Sequence, residues 1–190
     1  AGGTLASAGA FFDLPDFATL EGHGIVATPF RGTQDSTLQA EGGTLTVGDS
    51  GSFLGFRTGG LIEVSSTGTL SIQDRDFAAV GVLTTLNGGT LEASNGVVLG
   101  NGQVITGHGN VSGKVSADFG STINAEGGPL QVGTTAGFDG FFSDGQLLTN
   151  ENTVTILDAD AAVLGSLTDM GTDTTDGGLV ATNGFLLEQG

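Results

Sequence analysis

The sequence contains no cysteine, no tryptophan and no tyrosine, and only three prolines. Without cysteine there is neither a disulfide scaffold nor a thiolate metal site. Basic residues are nearly as scarce. Arg31, Arg57, Arg75 and Lys114 stand against 21 acids, for a net charge of −17. Nucleic-acid binding needs clustered lysine and arginine, which the chain lacks, and an anionic membrane surface would repel it. No run of 18 apolar residues is present to cross a bilayer as a helix. No window of about 12 residues carries a helical stripe either.

Glycine is what the chain has in excess, 36 of 190 residues, about two and a half times ordinary usage. No Gly-x-y triplet runs through it, which excludes collagen. Hydrophobic residues make up 37%, enough for a long, thin core and too many for general disorder.

The glycines sit in an internal repeat. Gly22–Gly48 and Gly107–Gly133 align without a gap at an offset of 85 and share 13 of 27 residues. Both open on Gly-His-Gly and close on Glu-Gly-Gly-x-Leu-x-Val-Gly. A second block, Thr69–Leu86, matches Thr153–Met170, followed by an extra acidic loop at Gly171–Asp176. The chain thus reads as one module, 1–190, made of two tandem copies at about 2–87 and 88–190. It opens at Ala1 without methionine, as a processed product or an excerpt would.

Within each copy the apolar residues alternate in very short runs: Thr37–Ala40, Thr44–Val47, Phe53–Phe56, Leu61–Val64 and Thr69–Ile72. Period two is a strand signal, and the Gly, Ser and Asp between the runs are turn residues. Strands of four residues cannot bury a core in one hairpin, but stacked coils can. Three such strands with their turns make a coil of roughly 20 residues, so one copy is about four coils, stacked roughly 4.8 Å apart. The expectation is an all-β, right-handed parallel β-helix (β-solenoid) of about eight or nine coils. The alternative is β-sandwich repeats, whose strands recur at a similar spacing. Residues 9–20, with Pro15, read as a bulging loop or irregular strand pair at one end, and the stretch around Arg31-Gly32-Thr33 as an irregular coil.

The run Gly107-x-Gly109-x-Val111-x-Gly113-x-Val115, followed by Gly127-Gly128-x-Leu130-x-Val132, resembles bacterial secreted and cell-surface β-helix repeat proteins. These are the autotransporter-passenger and filamentous-haemagglutinin-like classes. The resemblance implies an extracellular or cell-surface rod, non-enzymatic, with a structural or adhesive role. Its partners would be further repeats of the same chain or a second copy met head-to-tail, and glycans or a cell surface. Nucleic acid and membrane insertion are not among them.

Candidate site residues are few. His23 and His108, the two histidines, lie four coils apart and cannot share a metal; each sits between glycines as a corner residue would. Asp74 and Asp76 recur as Asp158 and Asp160, and alternating acids at a corner suit Ca2+, although two carboxylates fall short of the six to eight oxygens it takes. Phe12, Phe53, Phe56, Phe119, Phe138, Phe141 and Phe142 fit either a sugar platform or a stacked core, and the match of Phe53 and Phe56 to Phe138 and Phe141 favours core. The competing function is a glycan-binding or polysaccharide-cleaving β-helix, whose mark would be a cleft lined by acids and exposed aromatics. No pair of acids is singled out by spacing for catalysis. Ice binding needs a regular threonine ladder, and Thr44 is answered by Pro129 in the second copy.

Overall fold

A computed structural model describes residues 2–6, 11–164 and 177–187. The described residues form strands and no helix, so no helix is long and apolar enough to cross a membrane. The strands make two parallel sheets. One runs nine rungs deep from Gly3–Leu5 to Gly178–Ala181, the other nine from Phe12–Leu14 to Phe185–Leu187. Neighbouring rungs pair in parallel along both paths, which makes a β-solenoid of about eight turns.

Each coil has three walls. In Thr37–Asp49 the alternation puts Leu38, Ala40, Leu45 and Val47 inside, while Gln39 and Thr46 face outward. The strand bends at Glu41-Gly42-Gly43, where both glycines have positive φ, and so supplies two walls. In the next coil the same bend splits the strand into Leu61–Ser65 and Thr69–Asp74. A short third wall follows, as in Phe56–Thr58.

The pairing gives the coil lengths directly. Thr19 pairs with Thr37, Thr37 with Leu61, Leu61 with Leu83 and Leu83 with Val104, so successive coils take 18, 24, 22 and 21 residues. Together these fill the 85-residue period. The second copy begins the same way: Val104 pairs with Thr122 and Thr122 with Gln146, again 18 and then 24.

Inward residues stack on their counterparts from coil to coil. Leu45, Leu70, Leu91, Val111, Val132 and Ile156 form one buried column. Each such side chain contributes roughly 1.5–3 kcal/mol on leaving water. Phe12, Phe30 and Phe56 form a second column, with ring centroids 6.0 and 5.4 Å apart and nearly parallel planes. Aromatic pairs of this kind add about 0.5–1.5 kcal/mol beyond burial.

Several local expectations need correction. The two runs Thr37–Ala40 and Thr44–Val47 are one bent strand, whose pairing resumes beyond the Gly-Gly bend with a shift of register. Phe53–Phe56 is not a strand; Phe56 opens the third wall, whereas Phe53 lies in a loop, 61% exposed. Phe12–Leu14 is no bulge: it pairs in register with Phe30–Gly32, and Pro15 follows its end. Nor is the coil around Arg31 irregular, since Phe30–Gly32 also pairs with Phe56–Thr58. Residues 9–10 and the acidic loop Gly171–Asp176 lie outside the described residues.

Candidate functional site

The two histidines occupy equivalent corners. A side chain on Gly43 would meet the His23 Cβ at 3.4 Å, and one on Gly128 the His108 Cβ at 3.2 Å. Each imidazole therefore rests on the Gly-Gly bend of the next coil, and the bare glycine backbone is what makes room. The four-coil separation keeps the two apart, and neither has acids gathered around it among the described residues.

The paired acids behave differently from one another. Asp74 is buried; its Oδ2 accepts from the Phe56 amide at 2.7 Å and its Oδ1 from Asp76 at 3.1 Å. Asp158 repeats this. Its Oδ2 accepts from the Phe141 amide at 2.7 Å, and its Oδ1 from Gly140 at 3.1 Å and Asp160 at 3.3 Å. Each carboxylate thus ties the second wall of one coil to the start of the third wall of the coil before. Burial pushes the Asp158 carboxyl up, but its hydrogen bond with the Asp160 side chain and three backbone amides outweighs burial and holds it below the ordinary value. Asp160, though exposed, is raised, first by that shared hydrogen bond, then by some loss of hydration and by the Asp158 charge. The pair holds its first proton chiefly on Asp160.

The four acids proposed as cation ligands stand at two equivalent corners, where most of the oxygen capacity of Asp74 and Asp158 is spent on amides. Among the described residues no three acids or histidines converge as metal ligands.

Beside the Asp158 corner lies a notch of about 440 Å³. The turn from second to third wall takes six residues at 135–140, against three at 75–77 and at 94–96 and two at 113–114. Gly96, at φ 99°, lets Phe77 and Lys114 close up behind the notch; a Cβ there would meet the Lys114 Cβ at 2.8 Å and the Phe77 ring at 2.9 Å. Phe77 is the lower wall. Ser116 and Phe142, neighbours on the outer face of the third wall, form the back. Asp139 and Asp160 stand at the upper rim, the Asp139 amide hydrogen-bonded to the Asp160 carboxylate from a left-handed backbone at φ 57°. Lys114 is half-buried, and its ammonium makes no ion pair or hydrogen bond among the described residues.

Sequence reading missed Phe77, Lys114, Ser116, Asp139 and Phe142 as a group. A signal was present in the difference between the copies. The scaffold residues Gly140, Phe141, Asp158 and Asp160 answer to Gly55, Phe56, Asp74 and Asp76. The notch residues Lys114, Ser116, Asp139 and Phe142 instead replace Pro29, Arg31, Leu54 and Arg57.

Of the seven phenylalanines weighed together, Phe56 and Phe141 are buried in the core, whereas Phe53, Phe119 and Phe138 are exposed, Phe138 by 72%. The expected core role holds for Phe56 and its counterpart Phe141 and fails for Phe53 and its counterpart Phe138. Compared with protein-family models, curated proteins and solved structures, the chain matches none.

Proposed function

We propose that this chain is a non-enzymatic extracellular structural or adhesive module, a stiff acidic rod serving as a surface, matrix or filament component. The observation that carries the reading is the ladder of parallel rungs over a single internal core, with apolar side chains exposed on the outermost described rungs. At one end Leu5 and Ile25 are exposed; at the other Val180, Phe185, Leu186 and Leu187 are, the last by 70%. Unpaired strand edges over an apolar cross-section invite a further parallel rung. That rung would come from more coils of the same chain or from a second copy stacked head-to-tail, a contact that need not close and so builds a filament. The extracellular placement and the autotransporter-passenger or filamentous-haemagglutinin-like kinship rest on the Gly-x-Val and Gly-Gly-x-Leu-x-Val runs alone.

Polysaccharide cleavage is the competing reading. Glycosidic acids stand about 5–9.5 Å apart across the bond they cut. Asp158 and Asp160 are hydrogen-bonded to one another, a spacing that favours the non-enzymatic reading. Light scattering and electron microscopy of the purified chain test the proposal: concentration-dependent end-to-end assemblies are expected. A strict monomer at high concentration, together with sugar released from a polysaccharide panel above blank, would overturn it.

A further inference from the structure

We propose that the notch between Phe77 and Asp139 binds one neutral pyranose unit of a glycan chain. The inference rests on the adhesive side of the reading above and names what the rod would hold. Three features carry it. First, the volume of about 440 Å³ falls within the range of small-ligand sites, roughly 300–1,000 Å³, and the lining mixes aromatic and aliphatic surface with a few polar groups. A pyranose has the matching surface, an apolar face of C–H groups and a rim of hydroxyls.

Second, the polar groups include both donors and acceptors. The Lys114 ammonium donates and has no partner among the described residues. The Asp139 and Asp160 carboxylates accept, and the Ser116 hydroxyl does either. A hydroxyl both donates and accepts, so a polyol satisfies the set. A simple anion would face two carboxylates at the rim, and a simple cation would face Lys114.

Third, the notch replaces a different surface in the first copy. There the same positions of the third wall carry Arg31 and Arg57 on adjacent rungs, and Arg31 packs over Phe11 at 4.3 Å and pairs with Asp13 at 3.8 Å. Long side chains fill the outer face in one copy, and Ser116 and Phe142 leave it open in the other. The scaffold is shared, so the opening comes from the outward residues.

The test is an amide-resonance titration of the whole chain with cellotriose, maltotriose and mannotriose, and with trigalacturonate as the acidic comparison. Saturable shifts are expected for at least one neutral trisaccharide at Phe77, Lys114, Ser116 and Asp139, with none at Arg31 or Arg57. Phe77→Ala and Asp160→Asn should each weaken binding about tenfold, the effect of losing an aromatic wall or a charge-assisted hydrogen bond. The double variant Ser116→Arg with Phe142→Arg imports side chains the shared scaffold already carries. It should abolish binding with the melting temperature unchanged, and its loss of binding is then a loss of the site. The proposal is overturned by no shift with any neutral trisaccharide, by response to trigalacturonate alone, or by binding that survives the double variant. None of these outcomes touches end-to-end assembly, so the rod reading stands or falls separately.

Discussion

At the scale of single residues, Thr84 stands out. It continues the inward column of Leu38 and Ile62 below and Ile105 and Ile123 above. Its Oγ1 is buried without a hydrogen-bond partner. A buried, unsatisfied hydroxyl costs about 1–3 kcal/mol, and valine has nearly the same shape. Thr84→Val is therefore expected to stabilise the chain by about 1 kcal/mol, read as a rise in denaturant midpoint with unchanged slope; a lower midpoint would contradict the reading. Whether Thr84 or Thr85 points inward is not legible from the pair itself, since both suit a strand. The flanking alternation settles it, because Leu86 lies two residues on and must share the inward face. By contrast, the exposure of Phe53 and Phe138 was hidden: a phenylalanine in an alternating run signals core, and only the loop geometry turns it out. The regular threonine ladder that ice binding needs is absent among the described residues, though a short row of three exists. Comparison at 85 residues sets Thr44 against Pro129, yet the coil spacing stacks Thr44, Thr69 and Thr90 before Asn110 and Gln131 interrupt the row.

Between elements, the decisive device is the buried aspartate that clips adjacent coils. Asp158→Ala removes acceptors from the Gly140 and Phe141 amides. Hydrogen bonds to a charged group are worth about 1.5–3 kcal/mol each, so a loss of about 3 kcal/mol is expected by chemical denaturation. Asp74→Ala should do the same to Phe56. The pH dependence has a definite sign. The folded Asp158 carboxyl lies below its ordinary 3.8, so its contribution is present above that value and lost as pH falls through and below it. Asp160, raised, runs oppositely: its contribution is present below its ordinary 3.8 and lost as pH rises through the elevated value. The melting-temperature gap between the native chain and Asp158→Asn should therefore close as pH drops below 3.8. A gap of constant size would show that the carboxylate is not the clip. The recurrence of Asp-x-Asp was legible in the sequence. Its use was not, because the amides it accepts from lie 17 and 18 residues earlier, in a coil whose register the sequence does not state.

For the whole molecule, charge and stacking dominate. Seventeen uncompensated negative charges repel one another in the compact state. Salt screens them, with a Debye length near 8 Å at about 0.15 M, so the melting temperature should climb with NaCl. A further rise with millimolar Ca2+, lost in Asp160→Asn, is expected if the Asp158–Asp160 corner takes up a cation; a midpoint indifferent to both would remove repulsion and cation alike. The solenoid itself was legible because one residue pattern recurs from rung to rung: two apolar residues facing in, glycine or another turn residue at the bend, polar residues out. The notch was not, since it arises from outward residues, Lys114, Ser116, Asp139 and Phe142, that the pattern leaves free. The coil lengths have a mechanical meaning. The hydrogen-bond ladder runs along the rod, so tension on its ends peels one rung at a time instead of shearing a whole sheet. A coil of 18 or 24 residues, at about 3.3–3.6 Å per extended residue, releases roughly 60–85 Å of chain. Extension under force should thus proceed as unequal steps, a short one beside a long one, and the same pair should return four coils later. A rod built this way yields under load in small, reversible instalments, and it records its own tandem duplication in the order in which it lengthens.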